Sequence, residues 1–120
     1  MGNQDARGLK RLLNATKYSW LGFKTAYNSE EAFRLETWIA VILIPAGFWL
    51  GETGVQKALL VGSVVLVLIV ELLNTGIEFV VNRFGDEIHE YSGAAKDVGS
   101  AAVFLALVNV VVVWILILFF

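Results

Sequence analysis

Two carboxylates and an amide stand in an apolar run where ionised groups are expensive. Residues 70–80 read "VELLNTGIEFV", with Glu71, Asn74 and Glu78 set among Leu, Ile, Val and Phe. Near the centre of a bilayer each charged side chain costs at least about 2.5 to 3.5 kcal/mol on insertion scales. At about 100° per residue, Glu71, Asn74, Thr75, Glu78 and Asn82 fall within roughly a third of a helix circumference. Such a stripe cannot face lipid while ionised, so it implies a water-filled or cation-binding groove. Glu71 and Glu78 are separated by about 10 Å of helical rise, too far for both to chelate one ion easily. They suit successive depths of an extended ligand. Lys96 and Asp97 are expected at the cytoplasmic N-terminus of the next apolar segment, a position that favours phosphate. Carboxylates that hold Mg²⁺ beside a cationic phosphate site are the parts phosphoryl transfer needs. The soluble kinase and P-loop patterns GxxxxGK[ST], HRD and DFG are absent.

Each residue also has a plainer reading. Asn74 or Asn109 alone serves as glue between membrane helices. Glu30 with Arg34 is an i, i+4 pair of the kind found as surface salt bridges. Lys96 and Asp97 suit a span-end anchor and a cap, and His89, the sole histidine, suits a solvated loop. The two aligned glutamates with Asn74 between them resist such a reading.

The elements that must position these groups follow from composition. The chain has 120 residues, enough for one domain, and is 58% hydrophobic but only 17% charged. Soluble domains are nearer one-half and one-quarter, which points to a membrane. Cysteine is absent, which excludes disulfide and thiolate chemistry. The spacing predicts an all-α integral membrane fold: an amphipathic interfacial helix over residues 1–28, then spans over 29–51, 58–82 and 97–120. A cytoplasmic connection covers 83–96. Pro45 is expected to leave at most a kink. Leu9, Leu12, Leu13, Thr16, Trp20, Phe23 and Tyr27 form the apolar side of the arm, opposite Lys10, Lys17 and Lys24. Asn28 and Glu31 resemble a capping box for the first span, which places Glu30 at its mouth. Trp38, Trp49 and Trp114 stand near span ends, as interfacial indoles do. Basic residues crowd the arm and the second connection, so the N-terminus is expected in the cytoplasm and the C-terminus outside. Three spans and one arm are little protein to surround a large ligand, so self-association is expected.

The segments "ELLNTGIE" at 71–78, "HEYSGAAKDVGSAAV" at 89–103, "YSW" and "SEEAFRLE" resemble the prokaryotic diacylglycerol kinases, over essentially the whole chain. The resemblance implies a homotrimer with active sites shared between neighbouring subunits in the bacterial inner membrane. It further implies transfer of the γ-phosphate of MgATP to the hydroxyl of diacylglycerol, giving phosphatidic acid, with no nucleic-acid partner. By the same resemblance Glu71 is the catalytic base, and Glu30 and Glu78 hold Mg²⁺. Asn74, Lys96 and Asp97 belong to the nucleotide site, to which Arg11 and Tyr18 are added; Ser19, Glu36 and Glu71 are assigned to the lipid substrate.

Gly76 stands where the family usually has Ala, Asn82 where close relatives are acidic, and Ala94 where they are basic. None of these touches the glutamates or Lys96. Undecaprenol is the nearest alternative acceptor, since the same carboxylates would serve it; the arm and the 89–103 segment favour diacylglycerol. From other classes, a small cation channel or transport protein, or a structural adaptor, would use the glutamates differently.

Overall fold

Helical periodicity and capping divide the chain into four helices in the computed structural model, which describes residues 7–84 and 89–120. They are α1 (Gly8–Ser29), α2 (Glu31–Leu50), α3 (Gly54–Asn82) and α4 (Glu90–Phe119), with no strand among the described residues. The parts of the expected arm and connection at residues 1–6 and 85–88 lie outside the described residues.

Helices α2, α3 and α4 are each long and apolar enough to cross a membrane. The 20 residues of α2 span about 30 Å at 1.5 Å per residue, the thickness of a bilayer's hydrocarbon core. With 29 and 30 residues, α3 and α4 reach past that core. Pro45 leaves α2 unbroken. The chain is thus an all-helical membrane protein.

The ends of the helices differ from the spacing-based expectation. Asn28 lies in the last turn of α1, and the chain turns at Glu30, whose backbone is extended (φ −119°, ψ 113°). No side-chain cap forms there, so the expected capping box from Asn28 to Glu31 is absent, and the break is held from the other side of the turn. Arg34 Nη1 donates to the carbonyls of Tyr27 (2.8 Å) and Asn28 (3.2 Å) and satisfies the open end of α1. That use of Arg34 also displaces the expected pairing with Glu30. A side-chain cap does form at α3, where Thr53 Oγ1 accepts from the Gln56 N–H at 3.1 Å. Gln56 Oε1 reaches back to accept from the Glu52 N–H at 2.8 Å. This start lies four residues before the expected 58, because capping groups begin a helix before the apolar residues do.

Helix α3 is central. It packs against α4 and α2, whereas α1 meets α2 and α3 near its own C-terminal end. Small residues permit the approaches: a Cβ built on Gly47 would lie 3.1 Å from Val61 Cγ2 and 3.2 Å from Leu60 Cβ. Leu60 is fully buried, and Trp114 Nε1 donates to its carbonyl oxygen at 3.1 Å. Trp114 therefore joins α4 to α3 with its indole N–H directed at protein.

Candidate functional site

The polar stripe of α3 turns inward, as its cost in lipid requires. Glu71 and Thr75 are buried, Asn74 and Glu78 are partly buried, and Asn82 is exposed beyond the bundle. Thr75 donates its hydroxyl to the Glu71 backbone carbonyl (2.9 Å), satisfying itself within the helix.

Two carboxyl pairs form along this stripe. Near one end of the bundle, Glu30 comes within hydrogen-bond reach of Glu78. Burial, followed by the hydrogen bond and charge of Glu78 and the charge of Glu71, raises Glu30 above the ordinary carboxylate value of 4.5. Further into the helices, Glu36 of α2 meets Glu71 of α3, also within hydrogen-bond reach. No donor reaches the buried Glu36 Oε2. Facing carboxyls need a proton or a cation between them.

Asn74 extends the upper pair towards α4. Its Nδ2 donates to Glu78 Oε1 at 3.5 Å, while its buried Oδ1 has no hydrogen-bond partner. Glu30 and Glu78 offer carboxylate oxygens of the kind hard divalent cations take, with the Asn74 amide hydrogen-bonded to Glu78. Among the described residues no group of three or more acidic or histidine side chains forms a ready metal cage.

Of the residues singled out by sequence, Glu30, Glu36, Glu71, Asn74 and Glu78 come together. Ser19 lies apart from them in a groove of about 430 Å³ between α1 and α3, with Phe23, Ala26, Leu72, Thr75 and Gly76. Arg11, Tyr18, Lys96 and Asp97 are exposed on α1 and α4, and among the described residues no hydrogen bond or ion pair ties them to the carboxylates. Lys96 and Asp97 are not at a helix N-terminus. Helix α4 begins at Glu90, where His89 Nδ1 accepts from the Tyr91 N–H at 3.1 Å, so the phosphate argument from free N–H groups does not apply to them. Hydropathy marks where the apolar stretch begins, and this helix starts two turns earlier.

Sequence reasoning passed over Gly99. It is buried on α4, and a side chain there would meet Asn74 Oδ1. Its signal was available: a glycine within "AKDVGSAA", opposite a helix that carries the polar stripe.

Membrane-spanning helices around internal acidic pairs define an integral membrane protein with a polar site at one end of its bundle. The class is narrowed by likeness to known proteins. The family model described as Prokaryotic diacylglycerol kinase matches residues 17–118. A diacylglycerol kinase of Haemophilus influenzae is 55% identical over 113 residues, 94% of this chain and 96% of that protein. One from Pseudomonas aeruginosa is 49% identical over 111 residues, covering 92% and 90%. One from Escherichia coli is 44% identical over 114 residues, covering 95% and 93%. The chain belongs to the prokaryotic diacylglycerol kinase family.

Proposed function

We propose that this protein transfers the γ-phosphate of ATP to the hydroxyl of diacylglycerol, giving phosphatidic acid and ADP, at the acidic column between α2 and α3. The observation that carries the site is the arrangement of two carboxyl pairs at successive depths, Glu36 with Glu71 and Glu30 with Glu78. A lipid hydroxyl arrives from the bilayer and a nucleotide from water, so a reaction between them needs groups at both depths.

Glu71 is the general base. It is 6% exposed and holds its carboxyl among the helices, where water is scarce. As the lipid oxygen bonds to the γ-phosphorus, Glu71 takes the hydroxyl proton, and the bond from that phosphorus to the β–γ bridging oxygen breaks to release ADP. Glu36 lies against Glu71 and orients it. Ser19 lines the neighbouring groove and contributes to lipid binding.

Glu30 and Glu78, nearer the helix ends and with Asn74 beside them, are the residues that would hold Mg²⁺ for the nucleotide. Mg²⁺ held there would offset the negative charge of the phosphates. Lys96, Asp97, Arg11 and Tyr18 complete the nucleotide site. Their exposure in the single chain suits a homotrimer in which a neighbouring subunit closes each site. Helix α1 lies along the membrane surface through its apolar side, with the N-terminus in the cytoplasm and the C-terminus outside the bacterial inner membrane.

The test is phosphatidic acid formation from MgATP and short-chain diacylglycerol in detergent micelles, comparing the chain with Glu71→Gln and offering undecaprenol in parallel. Diacylglycerol turnover that disappears in a folded Glu71→Gln variant supports the reading. Preference for undecaprenol would reassign the acceptor, and ion flux without ATP turnover would reject a kinase.

A further inference from the structure

Asn74 has a neighbour whose effect depends on what it lacks. Buried Gly99 packs beneath the Asn74 amide where α4 crosses α3, and a Cβ on it would collide with Asn74 Oδ1. The same amide donates to Glu78 Oε1 at 3.5 Å, while its oxygen is buried without a partner. The colliding atom is the end of a flexible side chain. A methyl group at position 99 would therefore be accommodated by rotating Asn74, which carries the amide away from Glu78.

The space around the other glycine of α4 makes this specific. On the same helix, a Cβ at Gly93 meets nothing within 4 Å. The restriction at position 99 thus comes from one side chain and does not reflect crowding along α4.

We propose that Gly99 is a positioning residue: by withholding a side chain, it leaves room for Asn74 Oδ1 against α4 and so keeps the Asn74 N–H on Glu78, fixing that carboxylate beside Glu30 for the divalent cation–nucleotide complex. The proposal rests on the reading of that pair as the cation-holding carboxylates. Gly99 itself touches no reacting group. All of its effect passes through Asn74.

The experiment measures Mn²⁺ binding by its electron paramagnetic resonance signal, with the full chain in detergent and a non-hydrolysable ATP analogue, so that turnover is not required. Steady-state kinetics are measured alongside. Gly99→Ala should weaken Mn²⁺ binding and lower kcat by roughly 10- to 100-fold, as loss of a group that orients metal ligands does. The KM for diacylglycerol should be unchanged, and Gly93→Ala should behave as the parent. In an Asn74→Ala background, which vacates the space above position 99, Gly99→Ala should cause no further loss. This double comparison holds even if Gly99→Ala alone fails to fold. Equal losses from Gly99→Ala in both backgrounds, or parental Mn²⁺ binding by a folded Gly99→Ala, would overturn the proposal. Glu78→Gln separates the two levels. If it leaves Mn²⁺ binding intact, the cation reading of the pair is wrong; if it abolishes binding while Gly99→Ala does not weaken it, only the role of Gly99 is wrong.

Discussion

Glu30, at the break between α1 and α2, meets Glu78, one turn from the end of α3, as two carboxyls within hydrogen-bond reach. Residues far apart in sequence thereby create a site that neither helix has alone. It also gives folding and catalysis opposite responses to pH. Burial first, and then Glu78 and Glu71, raise Glu30 above 4.5, so the folded chain holds this proton more tightly than the unfolded chain does. Stability therefore falls as pH rises from the ordinary carboxylate value through the raised one. In the absence of divalent cations, melting temperatures in detergent should decline across that window, and Glu30→Gln should flatten this part of the curve. Activity should rise across the same window as Glu30 ionises. A profile unchanged by Glu30→Gln would remove Glu30 as the source.

Divalent-cation demand should separate the upper pair from the lower one. Glu78→Gln is expected to raise the Mg²⁺ concentration for half-maximal rate by roughly 10-fold or more, in the range seen for disturbed metal ligation. Saturating Mg²⁺ should restore part of its rate. The same titration on Glu71→Gln should show a rate that Mg²⁺ cannot restore.

For the base itself, Glu71→Gln keeps size and hydrogen-bonding shape but cannot accept the proton. Its kcat should fall by about 10²- to 10⁴-fold, the usual contribution of a positioned general base. Circular dichroism and melting should show a folded chain. Near-parental turnover would assign proton removal elsewhere.

At the other end of the bundle, Trp114→Phe removes the donor to the Leu60 carbonyl, 3.1 Å away, and keeps most of the aromatic packing. Stability should drop by about 0.5 to 1.5 kcal/mol, the net worth of a typical hydrogen bond. Phosphatidic acid formation per folded molecule should be unaffected at temperatures well below melting.

Overpacking should act similarly at Gly47, whose Cβ position lies 3.1 Å from Val61 Cγ2 and 3.2 Å from Leu60 Cβ. Gly47→Val is expected to separate α2 from α3 and cost about 1 to 3 kcal/mol. The measurement is thermal unfolding in detergent. Because α2 and α3 also carry Glu36 and Glu71, activity should fall with it, whereas Trp114→Phe should spare activity.

The helical, membrane-embedded character of the chain and the polar stripe of α3 are legible in the residues alone. Apolar length and the angular spacing of Glu71, Asn74, Thr75 and Glu78 are properties of one helix, readable without a partner. Family resemblance grouped Glu30 with Glu78 as Mg²⁺-holding carboxylates and Glu36 with Glu71 at the lipid substrate, but gave no direct carboxyl–carboxyl contact. Helix ends were less legible, because caps depend on which polar group closes the turn: Thr53 and Gln56 cap α3, while no side chain caps the start of α2 and Arg34 instead donates to the last carbonyls of α1. Helix packing is what sets Glu30 against Glu78, Glu36 against Glu71, and Asn74 over Gly99. Those pairings depend on the rotation and close approach of packed helices, which the side chains of all three helices set jointly and no single segment encodes.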